Sequence, residues 1–222
     1  RPDAGHDMPW EAVRDRMRYC RGASYDPAVE FSFGSGYVPR HEAFVAYASR
    51  SFTPARPLLD AARELAARIH SEFEYEAQAT DAATPALRAL DLRRGVCQDF
   101  AHVMLGCLRS LGLPARYVSG YLLTQPPPGQ PRLVGSDASH AWVAVYLPGR
   151  APDENGTWAE FDPTNNRAAG EDYVTLAMGR DYGDVSPLRG VIHGGAHHTL
   201  RVAVTVEPVE AAGAAAAPAA QP

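Results

Sequence analysis

The chain has little cysteine: three residues, Cys20, Cys97 and Cys107, among 222. So few, so spaced, they exclude a disulfide framework and any C-x2-C zinc arrangement, and they favour free thiols in a reducing, cytoplasmic compartment. No apolar run approaches the ~18 residues of a membrane-crossing helix, so no membrane partner is expected. Basic side chains are the minority, 21 against 26 acidic ones, for a net charge of -5. That balance gives no electrostatic case for nucleic acid or an anionic bilayer. There is no internal repeat and no phosphate-cradling glycine loop, so no cofactor is implied. The glycine-rich cluster His193, His197 and His198 fits no familiar metal spacing and reads as a solvated loop. The chain begins at Arg1 rather than Met, as removal of a signal peptide or an upstream domain would leave it.

What is present is an ordinary globular composition, 45% hydrophobic and 21% charged, enough for one full core. Residues 1–50 show no strong period and read as a lead-in segment packed on the core. Within it, 19–21 and 31–34 are candidate extended pieces. Residues 54–73 carry Leu58, Ala62, Leu65, Ile69 and Phe73 at helical spacing. Thr53 is the expected N-cap there, with Pro54 at the first helical position. Thr84-Pro85 repeats the start signal before a short helix through Leu90. A second long helix is predicted over 97–111, with Phe100, Ala101, Met104, Cys107, Leu108 and Leu111 as its buried stripe. Gly112 is its stop, and Pro114 lies just beyond. Strands are expected at 117–123, 140–147, 158–162 and 200–206. Residues 209–222, nearly all Ala, Gly and Pro, read as a disordered tail. Helices followed by a run of strands on hairpin-length connections predict an α+β fold with an antiparallel sheet.

Three residues sit at the ends of these elements. Cys97 heads the second long helix, His140 starts a strand, and Asp162 ends one. A thiol reacts as its thiolate, which a helix N-terminus favours, and the free N–H groups there can also donate to an oxyanion. Cys97 is therefore a candidate nucleophile, or else a small hydrophobe at a helix start. Cys107 lies inside the apolar stripe and reads as inert packing. His102 is five residues past Cys97, about 140° around the helix and ~7.5 Å along it. The two side chains do not easily meet, so His102 reads as structural. His140 lies on the strand face opposite Ala141, Val143, Val145 and Leu147, with Trp142 and Tyr146. It is a candidate base or a surface histidine on a half-exposed strand. Asp162, before Pro163, can orient an imidazole on a neighbouring strand. It can equally begin a turn through Thr164-Asn165-Asn166. Asp99 reads as a stabiliser of the helix start.

The segments Gly95-Val96-Cys97-Gln98-Asp99-Phe100 and Gly112-Leu113-Pro114-Ala115-Arg116-Tyr117-Val118-Ser119-Gly120-Tyr121 resemble the core of the transglutaminase-like superfamily, in its bacterial cysteine-protease branch. Ser139-His140-Ala141-Trp142 and Phe161-Asp162-Pro163-Thr164 resemble its histidine and aspartate motifs, in the right order. The stretch Gly179 to Pro187 resembles the segment beyond the aspartate motif in the bacterial branch. The resemblance runs from about Tyr19 to Val206. It implies a papain-like core, with the nucleophile helix packed on an antiparallel sheet, and a catalytic domain over 51–208. It also implies Cys97 as nucleophile, His140 as base and acid, and Asp162 as orienter. Gln98, Trp142 and Tyr182 are candidates for the cleft wall or the oxyanion site, and Asp181 and Asp184 either line the cleft or form a turn. Bacterial relatives often carry a β-rich N-terminal domain before this core. Such a domain, absent from this chain, is an expected partner.

The implied function is attack of Cys97 on an amide or peptide carbonyl, giving a thioester. Water then gives hydrolysis, and an amine gives transamidation. Peptidase or amidase action on a peptide or protein amide is favoured, because nothing indicates the elaborated acceptor site or the calcium sites of the animal cross-linking enzymes. The alternatives are a protein-glutamine transamidase and a non-catalytic binding module of the same fold. An arylamine-type acetyltransferase is a further runner-up, matched only loosely by Arg93-Arg94-Gly95-Val96-Cys97.

Overall fold

The computed structural model describes residues 8–18, 21–22, 25–123, 139–149, 155–186 and 203–208. Its helices are α1 (Trp10–Arg16), α2 (Glu42–Ala48), α3 (Leu58–Glu72), α4 (Ala86–Leu92), α5 (Cys97–Ser110) and α6 (Tyr182–Val185). Its strands are β1 (Glu74–Tyr75), β2 (Arg94–Gly95), β3 (Ala115–Leu122), β4 (Ser139–Leu147), β5 (Thr157–Phe161) and β6 (Tyr173–Gly179). The first two strands form a small parallel pair, and the other four form one antiparallel sheet in the order β5-β4-β3-β6. The fold is α+β.

Helix α5 is the central element. Asp99 through Arg109 are buried on every side of it, unlike the one-sided stripe its sequence suggests. Its neighbours account for this: α2, α3 and α4 pack against it, and β3 and β4 lie beneath it. Burying each large apolar side chain in such a core contributes about 1.5–3 kcal/mol. The helix ends as expected, at Gly112 in the left-handed region (φ 82°).

Helix α3 begins at Leu58, not at residue 54. Pro57 is the reason. A proline pushes the residue before it out of the helical region, so the helix starts after it. Residues 53–57 instead form a turn with Ala55 at φ 60°, and the Leu58 N–H donates to the Met8 carbonyl. In the lead-in, residues 27–32 form a 3-10 helix rather than an extended piece. Asp26 accepts from the Ala28 N–H, and Pro27 sits at the first position. Val13, Val38, Phe44 and Ala48 from this region are fully buried in the common core.

The strand beside β3 is β6, at 173–179, which is not among the four strands expected from the sequence. Of the strand expected at 200–206, residues 200–202 lie outside the described residues and Val204 makes a β-bridge. Gly120 lets β3 and β6 approach where their register shifts. A Cβ there would sit 2.0 Å from the Val174 carbonyl oxygen and 2.7 Å from the Trp142 ring. Cys20, the loop at 125–130, the cluster His193, His197 and His198, and the tail 209–222 lie outside the described residues. No described helix is long and apolar enough to cross a membrane.

Candidate active site

Cys97 is the first residue of α5. Gly95, paired with Tyr75 between β1 and β2, brings the chain in tightly, since a Cβ there would lie 2.3 Å from Asp99 Oδ2. That oxygen accepts from the Val96 N–H at 2.8 Å and from the Thr80 hydroxyl at 2.6 Å. Asp99 therefore fixes the helix start, as its sequence position suggests. Burial holds its carboxyl above the usual range, against the pull of those two donors. In the first turn Asp99 N–H and Phe100 N–H both donate to the Val96 carbonyl. No described group accepts from the N–H of Cys97 or Gln98. Cys97 itself is half-buried, while Cys107 is sealed in the core, where burial pushes its thiol up.

Strand β4 places His140 opposite Gly120 of β3, at the same end of the sheet as the head of α5. The ring is 10% exposed, and its Nε2 lies 2.7 Å from Asp162 Oδ2. That contact leaves Nδ1 for the thiol, and Cys97 is close enough to help raise the imidazole's pKa, while Asn165 Nδ2 lies 3.4 Å from Nε2. Burial pulls the imidazolium toward neutrality. The hydrogen bonds and charges of Asp162 and Cys97 outweigh it and raise its pKa from 6.5 to about 9.

Asp162 follows β5 and is fully enclosed. It both begins a turn and meets the imidazole, so the two readings of its sequence position hold together. Its carboxylate accepts five hydrogen bonds, from His140 Nε2, the Tyr173 hydroxyl, Asn165 Nδ2 and the backbone N–H groups of Thr164 and Asn165. Burial alone would raise its pKa; the donors His140, Tyr173 and Asn165 hold it below the usual range. Tyr173 and Asn165 are the residues the sequence does not flag. Tyr173 belongs to the unannounced strand β6, and Asn165 reads as an ordinary turn residue.

The remaining candidates divide. Trp142 stacks behind the imidazole at 6.0 Å between ring centroids, and its indole N–H donates to Glu160 at 2.8 Å. Gln98 donates its side-chain amide to the Ala82 carbonyl at 3.1 Å. Tyr182 opens α6, where its N–H donates to His102 Nε2 at 3.2 Å. His102 is fully buried, and burial lowers its pKa to about 4, so it is a neutral acceptor. Asp181 caps α6 through the Gly183 N–H and also accepts from the Tyr37 N–H, while Asp184 pairs with Arg180. Both acids hold the backbone of that segment. The chemistry-bearing set brought together is thus Cys97, His140 and Asp162, an arrangement suited to nucleophilic attack by sulfur with proton transfer through the imidazole.

The profile of the Transglutaminase-like superfamily matches residues 45–163, a stretch that holds all three. The chain belongs to this superfamily. An uncharacterized protein of Mycobacterium tuberculosis is 41% identical over 206 residues, covering 91% of this chain and 63% of that protein. The chain thus spans less than two thirds of that relative. A protein-glutamine gamma-glutamyltransferase of Pseudomonas aeruginosa is 34% identical over 125 residues, 50% of this chain and 18% of its own length. Among solved structures, one described as a candidate cysteine protease from Cytophaga hutchinsonii superposes with a TM-score of 0.60 at 26% identity. The superposition covers 78% of this chain and 54% of that one. The papain-like, transglutaminase-like fold rests on these matches.

Proposed function

We propose that the protein is a thiol-dependent acyl enzyme acting on an amide or peptide carbonyl, with hydrolysis favoured, and that residues 51–208 form its catalytic unit. The observation that carries this reading is His140, held 2.7 Å from the buried Asp162 carboxylate and close enough to Cys97 for that thiol to help raise its pKa. In the reaction His140 takes the thiol proton on Nδ1. Cys97 Sγ bonds to the carbonyl carbon, and the π pair moves onto oxygen. The free N–H groups of Cys97 and Gln98 stabilise that oxyanion. The carbon–nitrogen bond then breaks, the imidazolium gives its proton to the leaving amine, and a thioester remains. Water attacks next as His140 removes its proton, the carbon–sulfur bond breaks, and the proton returns to sulfur. Asp162 keeps Nε2–H on its side, so Nδ1 always faces the reacting atoms, and it stabilises the imidazolium.

Transamidation is the second reading, and the Pseudomonas relative favours it. It differs only in the acceptor, an amine in place of water. The chain contains no lysine, so a transamidase of this sequence has no ε-amine of its own to modify. A casein digest incubated with a fluorescent primary amine separates the two readings. Hydrolysis gives new peptide termini or converts glutamine to glutamate, whereas transfer puts the fluorophore on glutamine; ammonia is released from a glutamine side chain in either case. Wild-type protein doing neither, or no more than Cys97→Ala, would leave a non-catalytic binding module as the better reading.

A further inference from the structure

Asp162 Oδ2 is crowded. His140 Nε2, the Tyr173 hydroxyl and Asn165 Nδ2 each lie 2.7 Å from it. Oδ1 takes the backbone N–H groups of Thr164 and Asn165. Those two N–H groups and His140 already turn one oxygen toward the turn and the other toward the imidazole, so the phenol is an addition, and it comes from another strand. Tyr173 begins β6, opposite Leu122 of β3. Its ring stands edge-on to Trp142 at 5.2 Å between centroids and lies 6.1 Å from the imidazole. Trp142 is fully buried and stacks on that imidazole, and Arg167 lies against the Tyr173 ring at 4.7 Å, itself paired with Asp172. These neighbours fix where the phenol oxygen points.

Burial, and after it the Asp162 carboxylate, keeps the phenol protonated well above its ordinary range. The group is thus a neutral donor. A carboxylate oxygen that accepts several hydrogen bonds is a weaker base, because each donor favours its charged form. Donors on one oxygen also compete. The imidazolium therefore feels less pull from Asp162 with the phenol in place than it would without it. That matters when the amine leaves. The imidazolium must then hand over its Nδ1 proton, and a carboxylate that held the positive charge too firmly would keep the proton where it is.

We propose that Tyr173 is a positioning residue whose hydroxyl shares Asp162 Oδ2 with His140 and so keeps the imidazolium acidic enough to protonate the leaving amine. The inference rests on the thioester reading above. As the tetrahedral species collapses, the carbonyl re-forms, the carbon–nitrogen bond breaks and the Nδ1 proton moves to nitrogen. The phenol proton stays on Tyr173, hydrogen-bonded to Oδ2 throughout. Its effect reaches the reacting atoms only through Asp162 and His140.

The test is Tyr173→Phe, which removes one oxygen and keeps the ring. The first readout is the titration midpoint of His140, followed by nitrogen NMR of its imidazole. A hydrogen bond to a charged group, felt in part by the imidazolium, sets the scale at about one pH unit, or about tenfold. The variant's midpoint is expected to lie above that of wild type by this amount. Asn165→Ala removes an exposed donor from the same oxygen and moves the midpoint the same way by less. The second readout is amide hydrolysis in the casein digest relative to acetylation of Cys97 by p-nitrophenyl acetate, read by mass spectrometry. Nitrophenolate leaves without a proton and an amine does not, so the amide-to-ester ratio falls about tenfold in Tyr173→Phe. A residue that only held the fold would lower both rates together. That result, or a His140 midpoint that stays or falls, overturns the assignment. Where Tyr173→Phe is too unstable to titrate, an unmoved midpoint in Asn165→Ala overturns it. Wild-type protein never acetylated at Cys97 sinks the thioester reading and this role with it, whereas acetylated wild type with Tyr173→Phe titrating like it sinks this role alone.

Discussion

Replacing Asp162 with asparagine changes one atom and reverses the hydrogen-bond logic of the site. The carboxylate accepts from three side-chain donors, His140 Nε2, the Tyr173 hydroxyl and Asn165 Nδ2, all on Oδ2. In Asp162→Asn the backbone N–H groups of Thr164 and Asn165 still need an oxygen, so the new NH2 takes the place of Oδ2 and meets those donors. The imidazole can face that NH2 only as the neutral tautomer with its proton on Nδ1. That tautomer cannot take a proton from the thiol. The size of the effect comes from His140. Asp162 and Cys97 raise its pKa from 6.5 to about 9 against burial, which amounts to about 3 kcal/mol, or roughly 300-fold in the charged population. The assay is the rate of iodoacetamide labelling at Cys97 across pH, read peptide by peptide. Wild-type labelling stays fast through neutral pH, where His140 is charged. In Asp162→Asn it falls about 100-fold or more near pH 6 and recovers only toward alkaline pH. Labelling of the variant at the wild-type rate near pH 6 would refute the claim that Asp162 holds the charge on His140.

Three further outcomes are expected from the same geometry. Cys107 is sealed, so native protein labels at Cys97 and not at Cys107; Cys107→Ala keeps most acyl-transfer activity at a cost of about 1 kcal/mol in denaturant melts, while Cys97→Ala abolishes activity and leaves the melt intact. Because the folded pKa of His140 is raised, its stabilisation is complete below pH 6.5 and is lost as pH rises through about 9. Urea unfolding therefore reports about 3 kcal/mol less stability from this group at strongly alkaline pH, and His140→Gln removes that dependence. Gly120→Ala forces a methyl group to within 2.0 Å of the Val174 carbonyl; the expected loss is about 3 kcal/mol or more, read as a lowered melting temperature.

Elements α5, β3, β4 and β5 are legible in the chain to within a few residues, because each carries a strong local signal: an apolar period, Gly112 as a stop, or alternation along a strand. Local pattern also puts Cys97, His140 and Asp162 at the ends of those elements, where backbone geometry frees a side chain for chemistry. The start of α3 is legible as well once Pro57 is weighed, since the restriction it imposes is purely local. Other features exist only once the chain has folded. β6 carries Val174, Leu176 and Met178 in alternation, but on an edge strand where they face outward, and only pairing with β3 sets its place and register. Tyr173 and Asn165 reach Asp162 because β6 and the turn after β5 fold back onto one carboxylate. Trp142 and Gln98 lost their open roles to Glu160 and Ala82, contacts made across elements. A chain pattern specifies which face a residue takes, but a hydrogen bond needs two groups within about 3 Å. For residues far apart in sequence, that distance is set by how the sheet and α5 pack together.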